Sequence, residues 1–309
     1  MRGFSLATYL RVSLLLLMSV GTARAATLNV NCAGKDGLNS IGAALKVLQH
    51  TEDHGRSTIN VSGACHENIL IQNMDELTLN GVNGASITDA ANGAADVVDV
   101  DHSSVTLSGL TINGGYDGVA CYYGSYCHLI RNTIQGAADS GVLIYELTRA
   151  QFDGGVLQHN AEGLAVAGGD ITANSLTVQQ NSYIGVGVSE GGRLRFQRSV
   201  SANNQSYGIW VQSGNVVCAG CSVNGNQWGG VYMELGASVM FFGYVAPVTV
   251  TGNTGIAVFV GDAAAANFQG TVNVTGTNGQ SAIFCNSVTS ITHGAIAAAG
   301  GQANTNCKN

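Results

Sequence analysis

The sequence predicts an all-β solenoid, and two observations lead to that class. The 309 residues include 43 glycines and one proline, and 45% are hydrophobic while only 10% are charged. Such a composition favours strands joined by tight turns and argues against a disordered chain. In addition, a short glycine-led apolar motif recurs at a nearly constant interval. A repeat period between about 20 and 50 residues is typical of solenoids and arrays.

Each copy of the motif is a glycine followed by an alternating apolar stretch. Seven copies, about 22 to 25 residues apart, begin at Gly118, Gly141, Gly163, Gly185, Gly208, Gly230 and Gly255. A degenerate eighth copy begins at Ala282. Pro247 falls in the widest interval, which predicts a local insertion that leaves the regular coil.

Two further marks keep phase with the motif, a glycine six residues later in most copies and an asparagine shortly before the next copy. The asparagines are Asn160, Asn181, Asn204, Asn226, Asn253 and Asn278. Each unit is therefore expected to hold three short strands and three turns. Alternation along the first strand turns one pair inward in every copy, from Val119/Cys121 to Ile256/Val258. Stacking at about 4.8 Å buries these pairs, and asparagine side chains can hydrogen-bond to each other along one turn.

A coil of about 23 residues fits a parallel β-helix better than a propeller blade. The phased strands, turn glycines and asparagines resemble right-handed parallel β-helix proteins of the pectin-lyase-like superfamily. The stretch Asn31-Cys-Ala-Gly before a helical segment also resembles exported members of that group. The resemblance implies one single-stranded β-helix domain over residues 26–309. Its capping helix would lie at about 38–49, its regular coils at about 57–295 and its tail at 296–309.

Residues 1–25 are predicted to be a secretory signal peptide, because Arg2 and Arg11 precede the apolar run Ser13–Val20 and an Ala23-Arg24-Ala25 cleavage site. The alternative is a membrane anchor, but a bilayer needs about 20 apolar residues. The expected location is therefore secreted or periplasmic.

The net charge of −7 disfavours nucleic acid and anionic membranes as partners, because both require a basic surface. In an oxidising compartment, eight cysteines predict disulfides. Nearest-neighbour pairing gives Cys32–Cys65, Cys121–Cys127, Cys218–Cys221 and Cys285–Cys307. For Cys218 and Cys221, two separately buried thiols, a redox pair or half a zinc site stay open as alternatives. No metal site is assigned.

Family sites lie on the outer face of the solenoid, so outward residues of the first strand are candidates. Trp210 and Tyr232 are neighbours in adjacent coils, with Gln212 and Glu234 beside them. Exposed aromatic rings on a flat sheet can stack on sugar rings, so these four residues are the candidate carbohydrate-binding set. The alternative is that loops cover the rings or that the rings stack on each other.

The second strand carries the candidate catalytic residues Arg149, Asp153 and Arg193. A lyase of this superfamily needs a base and a cation that neutralises the substrate carboxylate. The alternative is a set of surface ion pairs. No cofactor is expected, except Ca²⁺ if the protein is lyase-like, and the acidic run Asp96, Asp99 and Asp101 offers oxygen ligands for it. The motifs of the hydrolase and esterase members are not found.

These features predict a protein that binds or acts on extracellular or cell-wall polysaccharide. If it is an enzyme, a polysaccharide lyase-like activity is the first expectation. The alternative is a non-enzymatic structural or surface-interaction solenoid. The sequence does not determine the substrate or the oligomeric state.

Overall fold

The computed structural model describes residues 25–34, 37–50, 56–276, 282–286, 291–293 and 307. The predicted signal peptide up to residue 24 and most of the predicted C-terminal tail lie outside these residues. The described part contains one helix and 30 strands, which pair in parallel from coil to coil. The predicted all-β parallel β-helix is confirmed.

Ten strands form the first face of the coil and pair in register along its length. They are β4 (Ile69–Gln72), β7 (Val98–Asp101), β10 (Val119–Tyr122), β13 (Ser140–Tyr145), β16 (Glu162–Ala167), β19 (Val186–Ser189), β22 (Tyr207–Gln212), β25 (Gly229–Glu234), β27 (Ile256–Val260) and β29 (Ile283–Cys285). All seven predicted motif glycines lie at the start of one of these strands or directly before it.

The second face follows the first in each coil. It consists of β1 (Ala26–Asn31), β2 (Ser57–Ser62), β5 (Leu77–Gly81), β8 (Ser104–Ser108), β11 (Tyr126–Ile130), β14 (Arg149–Asp153), β17 (Asp170–Asn174), β20 (Arg193–Gln197), β23 (Asn215–Ala219), β26 (Ser238–Thr251), β28 (Ala265–Val274) and β30 (Ile291–His293). The third face consists of β3 (Ala64–His66), β6 (Ser86–Thr88), β9 (Thr111–Asn113), β12 (Thr133–Gln135), β15 (Val156–Gln158), β18 (Thr177–Gln179), β21 (Val200–Ala202), β24 (Ser222–Asn224) and the second halves of β26 and β28.

The core is a continuous stack of the inward residues, as the alternation predicts. Val119, Val142 and Leu164 align across three coils and are fully buried. In the seventh copy the expected inward residue Val258 is buried, but Ile256 pairs with Gly229, and the residues opposite Val231 and Met233 are Val258 and Val260. The alignment is off by two residues, and since alternation has a period of two, the inward and outward sides are unchanged.

This offset arises at the insertion around Pro247. Strand β26 is 14 residues long, and its register with β28 shifts between Gly243 and Val248. Tyr244 and Val245 in this bulge are exposed. The predicted insertion is therefore present, but as a bulge within a long strand.

A ladder of buried asparagines closes the turn before the first face. From Asn160 to Asn253 the side chains are at most 1% exposed. In each step the Oδ1 of one asparagine accepts from the backbone N–H and the Nδ2 of the asparagine in the preceding coil, as Asn226 does from Asn204 at 3.0 and 2.9 Å. The asparagine side chains of this row therefore satisfy one another from coil to coil.

The helix α1 (Ile41–Gln49) packs on the first coils and buries Ile41, Leu45 and Leu48. It begins later than predicted, after Ser40, whose Oγ accepts from the Ala43 N–H at 3.2 Å. The Glu67 carboxylate of the first coil accepts from the N–H groups of Ile41 and Gly42 at 2.7 and 3.0 Å. Helix and solenoid are thus joined at the predicted cap.

The four predicted disulfides are present, Cys32–Cys65, Cys121–Cys127, Cys218–Cys221 and Cys285–Cys307. The Cys218–Cys221 bond is the predicted bridge, and an oxidised redox pair would form the same bond. Several disulfides suggest an oxidising, extracellular environment. Within the described residues, no helix has the length and apolar character needed to cross a membrane.

Candidate functional site

The outer side of the first face is a continuous surface of aligned side chains. Its central row contains Leu70, Asp99, Ala120, Leu143, Ala165, Gly187, Trp210, Tyr232, Phe259 and Phe284. The row starts with acidic neighbours, passes through small side chains and finishes with aromatic rings. Nine strand steps of about 4.8 Å give it a length of roughly 43 Å.

The predicted carbohydrate-binding residues lie together at the aromatic end, which comprises Tyr207, Trp210, Trp228, Tyr232 and Phe259. Trp210 pairs with Tyr232 in register, and Gln212 pairs with Glu234. The Tyr232 hydroxyl donates to Glu234 Oε2 at 3.0 Å, and Gln212 Nε2 donates to Glu234 Oε1 at 3.5 Å. Burial and the hydrogen bond to Glu234 raise the pKa of Tyr232 to about 12, so this phenol stays a donor at neutral pH.

The rings of the aromatic end differ in their contacts. Tyr232 stacks on Phe259 with centroids 4.5 Å apart and packs on Tyr207 at 4.8 Å, which is the predicted alternative of mutual stacking. Trp228 meets Tyr207 edge-on and is 60% exposed. Trp210 is half-buried, and no ring contact is found for it in the described part of the chain. Trp228 therefore offers the larger exposed ring surface, while Trp210 is only partly exposed.

Trp228 was not among the sequence-derived candidates. It lies in the turn that precedes β25, and the alternation of side chains along a strand does not predict whether a turn residue faces inward or outward. Its packing against Tyr207 is a contact between neighbouring coils. A tryptophan two residues before the motif glycine Gly230 is the only sequence signal that could have indicated it.

The opposite end of the face is acidic. We call the following group of carboxyl residues the acidic end: Asp96, Asp99, Asp117, Asp139 and Glu162. Asp96 Oδ1 accepts from the Asp117 N–H at 3.0 Å, and Asp117 Oδ1 accepts from the Ser140 N–H at 2.7 Å. Asp117 is fully buried, and its Oδ2 has no hydrogen-bond partner. Asp99 Oδ1 is also buried without a partner.

Burial and mutual repulsion shift the proton affinities at the acidic end. Burial, followed by the charges of Asp96 and Asp101, raises the pKa of Asp99 to about 6. Burial raises the pKa of Asp117 to about 7, and burial with the charges of Asp139 and Asp117 raises the pKa of Glu162 to about 8. Carboxyls that hold protons near neutral pH can serve as proton donors.

The sequence indicated the Asp96–Asp101 run but neither Asp117 nor Glu162. Only the register of successive coils brings these residues to one edge, and only burial changes their proton affinity.

Small side chains form the middle of the face, between Tyr145 and Trp210. Ala165, Ala167 and Gly187 occupy the outward positions there. A Cβ at Gly187 would collide with Glu162 Oε1, so the glycine leaves room for this carboxyl. Glu162 is therefore the member of the acidic end that lies nearest to the middle of the face.

Oxygen donors for a hard cation exist at the acidic end. Asp99 Oδ1 and Asp117 Oδ2 lack hydrogen-bond partners, but among the described residues the acidic end brings no three carboxylates within 4.8 Å of one another. Asp101, in contrast, is engaged by His102 at 2.5 Å and by Gln72 at 2.7 Å. Ca²⁺ bound here would hold anionic groups against the face.

The predicted catalytic residues lie on the second face and separate into two places. Arg149, Asp170 and Arg193 align in adjacent strands, are exposed, and line a shallow depression of about 270 Å³. No ion pair joins these three among the described residues. Asp153 lies at the other end of β14, roughly 13 Å along the strand from Arg149.

Asp153 has different partners from the predicted ones. His128 Nε2 lies 2.7 Å from its Oδ2, and Gln151 Nε2 donates to the same oxygen at 2.8 Å. The hydrogen bond with His128 is the main cause that lowers the pKa of Asp153. The structure thus brings Arg149 and Arg193 together around Asp170 but leaves Asp153 with His128.

Known proteins support the fold. No curated protein sequence matches this chain significantly. The A-module of Azotobacter vinelandii mannuronan C-5 epimerase AlgE6 is similar at 15% identity, with a TM-score of 0.59 over 86% of this chain and 92% of that chain. Pectate lyase Pel9A is similar at 12% identity, with a TM-score of 0.53 over 93% of this chain and 80% of that chain.

At these identities the two likenesses establish the fold alone. The family described as right handed beta helix region matches residues 98–253, about half of the chain. The predicted resemblance to pectin-lyase-like β-helices is confirmed, and the chain belongs to the right-handed β-helix family.

Proposed function

We propose that this protein is exported and binds a polysaccharide along the outer side of its first face. The observation that carries the proposal is the aromatic end, where Trp210 and Trp228 offer ring surface beside the Gln212–Glu234 pair. Aromatic rings with polar groups beside them suit the apolar faces and hydroxyls of sugars. The names of the two structural neighbours, an epimerase of mannuronan and a pectate lyase, support this class of ligand.

The length of the face supports a polymer as the ligand. Parallel strands repeat every 4.8 Å or so, which gives one row of outward side chains per coil for an extended chain to cross. The disulfides support export, and residues 1–25 stay a predicted signal peptide.

Affinity electrophoresis against a panel of neutral, amino and uronic polysaccharides tests the proposal. Trp210→Ala is expected to abolish most of the retardation, because it removes the exposed part of an indole ring on which a sugar would stack. Tyr244→Ala is the matched control, since Tyr244 is an exposed aromatic residue on the bulge, away from the first face. Equal retardation of wild type and Trp210→Ala would contradict the proposed binding face.

A second candidate function is a lyase at the second face. The observation favouring it is the alignment of Arg149 and Arg193 on either side of Asp170, over the depression they line. One arginine would take the proton and the other would neutralise the carboxylate. Asp153, which is held by His128 at the other end of β14, would contact a different sugar of the same polysaccharide.

Ultraviolet absorbance of the unsaturated product, with and without Ca²⁺, tests this activity. Arg149→Ala and Arg193→Ala should each remove it, whereas Arg198→Ala, an arginine just after β20, should not. Polysaccharide binding without any turnover would identify the non-enzymatic alternative.

A further inference from the structure

We propose that the polysaccharide taken by the first face carries free amino groups. This inference rests on the proposed function, because it specifies the ligand of the same surface. It concerns the acidic end, which the proposed ring stacking does not use.

The first face has no positive side chain to meet an anionic sugar. None of its ten strands contains a lysine or an arginine. In the described part of the chain these residues lie on helix α1, or on and beside strands of the second face: Lys46, Arg56, Arg131, Arg149, Arg193, Arg195 and Arg198. A uronate chain on the first face would therefore meet carboxylates without a compensating cation from the protein.

The acidic end also has unused acceptors. Asp117 is fully buried, its Oδ1 is engaged by the Ser140 N–H, and its Oδ2 has no partner. Asp99 Oδ1 lacks a partner as well. The protein thus buries unsatisfied oxygens, at a cost in stability, beneath a surface along which a ligand would lie.

An ammonium group on the ligand would suit both the absence of positive side chains on the first face and the unpartnered oxygens of the acidic end. It brings a positive charge and three N–H donors, while its sugar ring can continue across the small residues Ala165 and Gly187 towards Trp210. The two ends lie about four strand steps apart between β10 and β22, roughly 19 Å, so one chain of several sugars can reach both.

The test uses a matched ligand pair, a glucosamine hexamer and its fully N-acetylated form, with a galacturonate hexamer as the anionic comparison. Binding is measured by calorimetry at about pH 7 in EDTA, where Asp99, whose pKa burial raises to about 6, is ionised. We expect the free amine to bind about tenfold tighter than the N-acetylated form, with an advantage that shrinks as salt rises.

The variants Asp96→Asn and Asp99→Asn should remove most of this preference while leaving the binding of the N-acetylated form unchanged. Asp75→Asn, which makes the same charge change at an exposed position in the turn before β5, should leave the preference intact. Asp117→Asn keeps the shape of a buried side chain and serves as the second variant if either of the others fails to fold.

Equal affinity for the two glucosamine forms, tighter binding of the galacturonate hexamer, or an equal effect of Asp75→Asn would overturn the inference. If Ca²⁺ in place of EDTA makes galacturonate the tightest ligand, the acidic end is a cation site, and the inference fails while polysaccharide binding stands. If none of the three hexamers binds, the proposed function itself fails.

Discussion

Removing one rung of the asparagine ladder should weaken the solenoid strongly. Asn204 is fully buried at the centre of the ladder. Its Oδ1 accepts from the backbone N–H of Asn181 at 3.1 Å and from the Asn181 side chain at 2.9 Å. Its Nδ2 donates to Ser201 Oγ at 3.2 Å and to Asn226 Oδ1 at 2.9 Å. Alanine at this position loses all four hydrogen bonds.

The magnitude follows from what stays buried without a partner. The backbone N–H of Asn181 faces the gap, and an unsatisfied buried donor costs about 1–3 kcal/mol. The other lost hydrogen bonds add about 1 kcal/mol each where no replacement exists. Asn181 Nδ2 keeps the Leu157 carbonyl at 3.4 Å, which limits the loss. We expect Asn204→Ala to lower the free energy of unfolding by about 3–5 kcal/mol.

Urea unfolding measures this loss, and amide hydrogen exchange at Asn181 locates it. Asn215→Ala is the matched control, because Asn215 is exposed at the start of β23. That control should change the free energy of unfolding by less than about 0.5 kcal/mol. A loss below about 1 kcal/mol for Asn204→Ala, or unchanged exchange at Asn181, would refute the reasoning.

Three further predictions concern burial. The folded-state pKa values of Asp117 and Glu162 exceed the ordinary ones, so the folded state binds more protons between about pH 4 and 8. The free energy of unfolding should therefore fall as pH rises through this window. Asp117→Asn should make this pH dependence weaker and raise the melting temperature at high pH. A melting temperature that increases from pH 5 to 8 would contradict this prediction. Gly187→Ala should push the Glu162 carboxyl into water and lower its pKa from about 8, as NMR titration would record; an unchanged value would show that the glycine does not position it. Phe196→Ala, at a fully buried core position, should cost about 3–5 kcal/mol in urea unfolding, and a cost under about 1 kcal/mol would mean that the stacked core collapses around the gap.

The periodicity of the sequence was sufficient to predict the coil, because burial in a solenoid depends on local alternation. Val119, Val142 and Leu164 align because each copy presents the same glycine-led strand. The prediction failed at Ile256, since the bulge at Pro247 lengthens one coil and a glycine at position 255 imitated the motif. An insertion changes the register without changing the pattern.

The candidate site was less predictable because its chemistry depends on neighbours in other coils. Alternation alone placed Trp210 and Tyr232 outward and in register. The unpartnered oxygen of Asp117 depends on burial, and the pairing of Asp153 with His128 depends on a contact across strands. Neither the burial of Asp117 nor the contact between Asp153 and His128 can be predicted from the spacing of residues in the sequence.

The fluorescence of the two tryptophans tests the central claim most directly. The chain contains only Trp210 and Trp228, and both belong to the aromatic end. Titration of the Trp228→Phe variant with an oligosaccharide that binds should change the emission of Trp210 in a saturable way, at the dissociation constant that calorimetry gives. Emission that stays constant while calorimetry records binding would place the sugar elsewhere and contradict a binding site on the first face.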